Sequence, residues 1–458
     1  KLDQIDGHIR SGNMSAANRL IANLNVDKFN VDERIRAADL MRRAGLPFNS
    51  LRLLRPFVYS EGNGTKATPS EIVEYAASLG KIGATEEAFA LLNQLQGQVP
   101  AQAYLHWALM HFSQWQYQES LVPLQIYLTM VQPSSYAAVV GSTNLSAAYI
   151  ALGCHSEAFD ILKQLIKVTQ EQKFSLMESI VWLLIAQINL HAKSFVEAKI
   201  CLEKSRALDE VKNSMYALLY QKWRVLIDLE SNPSPSNVHR LLAVQRAARQ
   251  LTHWETVRDC DFYVGRFNED YNRLLHVFFG TPYVQYLKMR MLQIGWREED
   301  LPDSLYWNPN HRDVKKQIVL KAPKQFLNIN VETEVNSRPS LKAGSLLYRL
   351  TLALTQDFYR PVRIGALFGI LYPNEIFDPH SSIAKVENAI FRLRKWFSLN
   401  SKNLHLVYLG DGYRLSTNGV SYLKIQKTEP TLSSYNARIK ALMRHYQDTS
   451  FSTEDAMN

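Results

Sequence analysis

Along the first two hundred residues, a small side chain followed four positions later by leucine recurs at Ala16/Leu20, Ser50/Leu54, Ala88/Leu92, Ser120/Leu124, Ala158/Leu162 and Ala198/Leu202. The small positions are 34, 38, 32, 38 and 40 residues apart. Twelve positions earlier stands another small residue, Ala38, Ala76, Ala108, Ser146 or Ala186; the first unit breaks this rule with Gln4. Glu87, Glu119, Glu157 and Glu197 directly precede the small residue in the last four units. Two helices packed as an antiparallel hairpin need small side chains where their axes cross and large apolar ones a turn later. The spacing therefore predicts helical hairpins. Turn signals separate their arms: Gly45-Leu46-Pro47, Gly83, Gly153 and Ala192-Lys193-Ser194, with Pro100 and Pro133 closing units.

Beyond the repeats, apolar periodicity predicts helices over 214–231, 238–251, 256–279 and 283–294, broken at Ser231-Asn232-Pro233-Ser234-Pro235 and Gly280-Thr281-Pro282. The stretch 295–317 is polar, carries Pro302 and Pro309, and reads as a connector. The repeat pattern resembles the tetratricopeptide (TPR) repeat over roughly residues 4–206. The paired small positions, the leucines, Trp182, Tyr149 and Pro100 carry that resemblance. It implies a mainly α fold: a TPR-like right-handed superhelix over 1–206, with 207–294 as a helical extension capping it.

After residue 317 the period shortens to two. Ile318-Val319-Leu320 and then Leu327, Ile329 and Val331 predict strands. Ser337-Arg338-Pro339 turns the chain, and Ser340 caps a helix through Leu346, Leu347, Leu350 and Leu354. A second short helix spans 362–372. A third, capped by Ser381 or Ser382, has the apolar face Ile383, Val386, Ile390, Leu393 and Phe397. Residues 404–409, the turn Gly410-Asp411-Gly412 and Tyr413-Arg414-Leu415 make a hairpin. A helix and tail over 428–458 end the chain.

Two stretches, Val386–Lys395 in the third helix and Gly410–Leu415 in the hairpin, make the unit 318–427 resemble the winged helix-turn-helix of OmpR/PhoB-type effector domains. The fold implied is an α+β winged helix whose third helix enters the major groove of duplex DNA. The resemblance places Ser382, Lys385, Ala389, Arg392 and Lys395 on the reading face, with Lys402 and Arg414 on the wing's backbone contacts. Gly410 and Gly412 form the wing turn, while Arg394 flanks the apolar face and reads as structural. The sequence departs from the family at Ala343, where an acidic residue is expected, and in an acidic loop around 374–380. The family's receiver domain has no counterpart here, so phosphorylation control of that kind is not implied.

The TPR resemblance also implies a binding groove on the concave face, lined by Val73, Ala77, Leu105, Leu109, Thr143, Ala147, Leu183 and Gln187. These are apolar or small where peptide-carboxylate clamps carry Lys, Arg and Asn. A protein partner, an apolar effector or a domain of the same chain fits such a groove; tight curvature that buries these residues is the alternative.

Charge sharpens the reading only at one end. The 458 residues carry a net +9. From residue 341 onward Lys and Arg exceed Asp and Glu by 15 to 9, leaving the other 340 residues at +3. A polyanionic partner at the C-terminal end fits this asymmetry. With 46% hydrophobic residues, wholesale disorder is excluded. The three cysteines, Cys154, Cys201 and Cys260, lack ligand or disulfide spacing, which points to a reducing cytoplasm. No apolar run approaches a bilayer span. The chain starts at Lys1 without an initiator methionine, and an upstream segment that has been removed stays open.

No HExxH, phosphate loop or GxSxG occurs, and His106 and His111 are five apart, wrong for two ligands on one helix face. Trp107, Trp182 and Trp223 sit at core spacing. No catalysis, metal or cofactor is expected. The sequence reads as a DNA-binding transcription regulator, bacterial in architecture, with a sensor or protein-docking array. Its partners would be duplex DNA, an effector or protein in the groove, RNA polymerase and a second copy of the chain. The alternative is a non-catalytic scaffold whose winged helix binds protein.

Overall fold

A computed structural model describes residues 1–60, 66–95, 99–208, 214–309, 317–323, 326–328, 341–342, 344–400, 403–410 and 412–426. Six hairpins open the chain: α1 (Leu2–Arg10) with α2 (Met14–Ala22), α3 (Val31–Arg43) with α4 (Pro47–Val58), α5 (Pro69–Ile82) with α6 (Thr85–Asn93), α7 (Ala101–Ser113) with α8 (Tyr117–Met130), α9 (Tyr136–Ala151) with α10 (His155–Glu171), and α11 (Ser175–His191) with α12 (Phe195–Ala207). Each packs on the next, giving a TPR-like array. The residues that repeat in the sequence are those buried at the crossings: Ala38, Ser50, Ala76, Ala88, Ala108, Ser120, Ser146, Ala158, Ala186 and Ala198. Close approach of two backbones leaves no room for more than a methyl or hydroxymethyl group. Where serines face each other, as Ser50 and Ser78 do at 2.8 Å, their hydroxyls pair.

In the first unit the buried small residue and its apolar partner stand one position later. Ala17 and Ile21 are buried, not Ala16 and Leu20, and Ile5 occupies the position twelve before Ala17. Asn13 explains the shift: it caps α2 by accepting from the Ala16 N–H, which fixes Ala16 in the exposed first turn. Ile5 is not a small residue, so this unit departs from the small-residue rule at that position in either register.

Each of these hairpins turns through one left-handed residue: Gly12, Gly45, Gly83, Trp115, Gly153 and Lys193. Trp115, like Lys193, is costly there, since a β-carbon is disfavoured at positive φ. Its ring is held against Tyr283 and Tyr286, at centroid distances of 5.7 and 4.4 Å.

The helical extension is two further hairpins. α13 (Ser214–Ser231) pairs with α14 (Pro235–Gln250), and the helix expected over 256–279 is two, α15 (Trp254–Phe267) and α16 (Tyr271–Phe279). Glu269 at φ 50° and the N-cap Asp270 break it, a turn marked by neither Gly nor Pro. α17 (Val284–Ile294) then folds back on the array. There the Gln285 carboxamide accepts from the Tyr117 N–H at 3.0 Å and donates to Glu119 at 3.2 Å.

Within the stretch expected to be a connector, residues 304–307 belong to the C-terminal unit. β1 (Ser304–Trp307) lies inside a four-stranded sheet of order β2-β1-β7-β3, with β2 (Ile318–Val319), β3 (Phe326–Asn328) and β7 (Tyr422–Gln426). Leu305 and Trp307 are fully buried, and Trp307 stacks on Phe358 at 3.9 Å. The flanking prolines masked a strand too short to show a period. A unit beginning at 318 would lack this inner strand.

The remaining elements follow in order: α18 (Leu346–Thr355), capped by Ser345, then β4 (Val362–Arg363), α19 (Ile364–Leu371), α20 (Ser382–Asn400), β5 (Leu404–Tyr408) and β6 (Gly412–Thr417). β4, β6 and β5 form a second, antiparallel sheet. Ser340, Ile329, Val331, Ala343 and the helix and tail expected over 428–458 lie outside the described residues.

A single apolar core runs through most of the array and into the C-terminal unit. Arg258 of α15, 1% exposed, pairs with Asp357 through two bonds of 2.8 and 2.7 Å, and its guanidinium lies over the rings of Trp115, Tyr283, Tyr286 and Tyr359. Gly365 sits so close to the α5–α6 turn that a Cβ would meet the Ile82 carbonyl oxygen at 2.7 Å. Arg55 pairs with Asp378 at 3.1 Å, and Glu87 accepts from the Phe377 N–H at 2.8 Å. The C-terminal unit is thus seated on hairpin turns and on α4, α15 and α16.

Candidate nucleic-acid interface

Helix α20 is the element from which a reading face would be built, and its cap sets its orientation. The Ser382 hydroxyl accepts from the Asp378 N–H, the Ser382 N–H donates to the Asp378 carbonyl, and Asp378 turns its carboxylate to Arg55 and the His380 N–H. These contacts with the array's Arg55 and with the His380 amide hold the Asp378 carboxyl below its usual range, against the desolvation that opposes them. Ser382 is consequently 2% exposed and Ala389 1%. Both belong to the inward stripe Ser382, Val386, Ala389, Ile390, Leu393 and Phe397, so the expectation that they face DNA is overturned.

The outer face is rotated by about one position. It presents Lys385, Asn388, Phe391, Arg392, Lys395 and Leu399 to solvent. Among the described residues Arg392 and Lys395 make no ion pair. Lys385 does: Glu375, from the acidic loop, pairs with it, and its ammonium lies 5.7 Å from the Tyr372 ring centre. Phe391 is 66% exposed and Leu399 72%, an apolar border beside the cations. Sequence reasoning missed Asn388 and Phe391. The signal was present, because the 3–4 spacing of the apolar residues fixes the opposite face once Ala389 is counted among them.

Arg394 donates to the Leu406 carbonyl at 3.1 Å and covers the Tyr413 ring, which ties α20 to the hairpin. In that hairpin Gly410 adopts φ +83°, and a Cβ on Gly412 would meet the Val362 carbonyl oxygen at 2.5 Å. Asp411 and Lys402 lie outside the described residues. Arg414 does not serve the wing. Its side chain turns inward to the array, donating to the Tyr359 carbonyl at 3.4 Å and covering Trp254 at 5.4 Å. Burial, with Arg249 nearby, pushes its pKa down to about 10. Alternation along β6 puts Arg414 on the face that the array covers, so it cannot also reach a phosphate outside.

The groove residues separate in the same way. Val73, Ala77, Thr143 and Leu183 are buried, Leu105, Ala147 and Gln187 are half-buried, and Leu109 is exposed. A continuous apolar groove is therefore absent along these positions; packing of successive hairpins consumes most of it. Leu183 still reaches the wall of a cleft between α11, α13 and α14.

Among the described residues no helix is long and apolar enough to cross a membrane. No family model matches this chain, and no curated protein matches it. Among solved structures the chain is similar to a Rap protein complexed with competence and sporulation factor, at 13% identity and a TM-score of 0.44, over 64% of this chain and 86% of that one.

Proposed function

We propose that this protein is a cytoplasmic, non-enzymatic transcription regulator whose C-terminal unit is a winged helix that binds duplex DNA through the outer face of α20, while the helical array serves as its docking or sensing part. The observation that carries this reading is the orientation of the unit. Its Arg414 side is seated on the array, whereas Arg392 and Lys395 on α20 stay solvent-exposed and unpaired among the described residues. A guanidinium on an exposed helix of that length suits a guanine edge in the major groove, and a lysine one turn on suits a phosphate. RNA polymerase and a second copy of the chain are further partners under this reading.

An electrophoretic shift of the full chain with random duplex at low salt tests it, and binding is expected. Arg392→Ala should cost ~1–3 kcal/mol and relax preference at one base pair. A blank shift at low salt sinks the reading. One observation favours the scaffold alternative: Phe391 and Leu399 give the same face an apolar border, and Glu375 already neutralises Lys385. Under that alternative, Phe391→Ala would abolish capture of a protein partner while DNA leaves the chain unshifted.

A further inference from the structure

The cleft that Leu183 reaches has no part in the α20 face. It has a volume of about 560 Å³, is open on one side, and is lined by α11, the end of α12, α13 and α14, with its arginines solvent-exposed. Its wall combines an apolar side, from Ile180, Leu183 and Val244, with three guanidinium groups, Arg206, Arg224 and Arg240, and among the described residues no carboxylate lines it. That volume falls within the range of small-molecule sites, about 300–1,000 Å³.

The charges do not cancel around it. Arg224 lies 3.6 Å from Glu203, and Arg240 pairs with Asp228 at 2.9 Å, but Asp228 is shared with Lys199. Arg206 has no carboxylate partner among the described residues; its guanidinium lies 5.5 Å from the centre of the Tyr220 ring. The Tyr220 hydroxyl accepts from Arg224 at 3.2 Å and donates to Glu203 at 2.8 Å, which holds two of the arginines around one aromatic ring. Among the described residues, the three lining guanidinium groups and the nearby Lys199 thus stand against Glu203 and Asp228, beside an apolar wall. Such an arrangement favours a ligand with one anionic head and one apolar body, because guanidinium groups bind carboxylate and phosphate through paired, charge-assisted hydrogen bonds.

We infer that the cleft between α11, α13 and α14 binds a small amphipathic anion, a carboxylate or phosphate carried on a short apolar chain. This rests on the reading of the array as the sensing part and gives that part its ligand class.

Calorimetric titration of the full chain with octanoate, octyl phosphate, 1-octanol and inorganic phosphate tests it, all below the concentrations at which the amphiphiles micellise. Saturable binding of one molecule of octanoate or octyl phosphate is expected, at least about tenfold tighter than either 1-octanol or inorganic phosphate. The ratio of the two anions tells which head the arginines prefer. Arg224→Gln/Arg240→Gln should weaken the anions about tenfold and leave 1-octanol unchanged. Ala243→Trp, at an exposed position on the cleft wall, should block all of them without altering the circular dichroism. Equal affinity for 1-octanol, binding indifferent to the arginine substitutions, or no saturable heat from either anion would overturn the inference. Duplex binding measured on the same preparation separates the two readings. A chain that shifts DNA but ignores the anions loses only the ligand, and one that takes the anions but not DNA loses only the regulator.

Discussion

The array and the C-terminal unit solve the same problem, burying an apolar face, with contacts of very different reach. In the array each helix packs mainly on its neighbours in sequence, so a small residue and its partner twelve positions away suffice to set a hairpin. In the C-terminal unit the inner strand β1 at residues 304–307 pairs with β7 at 422–426, and the sheet cannot close until the last described strand is in place. Local contacts form quickly and independently, whereas long-range strand pairing must first overcome the entropy of closing a loop of more than a hundred residues. The array is not purely local either. Trp115, Arg258 and α17 draw its middle, its end and the C-terminal unit into one buried junction, unlike an open solenoid whose repeats meet only their neighbours.

The sharpest way to break this comparison is to cut the long-range part out. A fragment of residues 318–427 lacks β1 and the Trp307–Phe358 stack and should remain unfolded, with amides that exchange freely. A fragment that folds by itself would show that β1 is dispensable.

Next in size is the junction. Arg258→Ala strands Asp357 without its buried partner and should cost ~3–5 kcal/mol in denaturant unfolding. Arg258→Met combined with Asp357→Asn should recover much of that loss, since no charge is left buried alone and the amide oxygen still accepts from the Tyr359 and Arg360 N–H groups. A single variant that costs under ~1 kcal/mol would mean that the two regions are not coupled through this pair.

Acid probes the same seam. His276 of α16 bonds the Tyr359 hydroxyl at 2.9 Å, and burial lowers its pKa to about 4, with Arg249 and Arg273 adding to the shift and Asp261 opposing it. The folded protein therefore holds His276 neutral. Its contribution is complete above the unfolded value of about 6.5 and declines as the pH falls toward 4, by up to ~1.4 kcal/mol per pH unit. His276→Gln should flatten the stability profile by that one proton in this window, and an unchanged slope would place the titration elsewhere.

The smallest of these effects comes from a methyl group. Gly365→Ala forces a Cβ against the α5–α6 turn, and the overpacking should cost ~1–3 kcal/mol. Limited proteolysis should then show β4 and α19 loosened before the hairpins are. Cleavage inside the hairpins first would mean that the seat at Gly365 is not where the regions hold together.

The hairpins, their turns at Gly45, Gly83 and Gly153, and the inward stripe of α20 were legible because each is a local period, and a period of 3.6 fixes a face whatever it packs on. The one-residue offset of the first unit could have been read from Asn13 as a cap. The same period puts Lys385 and Arg392 on the outside, whereas Ser382 and Ala389, one polar and one small, do not declare their side.

The sequence by itself determined the helical hairpins, the three C-terminal helices with the β-hairpin after them, and the basic residues of α20, all from neighbours within about a dozen positions. Only the tertiary structure decided that residues 304–307 are an inner strand, that Arg414 turns to Trp254 rather than to solvent, and that Arg258 is buried against Asp357. Each of those outcomes depends on partners that lie about a hundred residues away or more. Hydrophobic periodicity tells which side of an element is buried, but it carries no record of what will cover it. A short strand or a lone arginine takes its role from that cover.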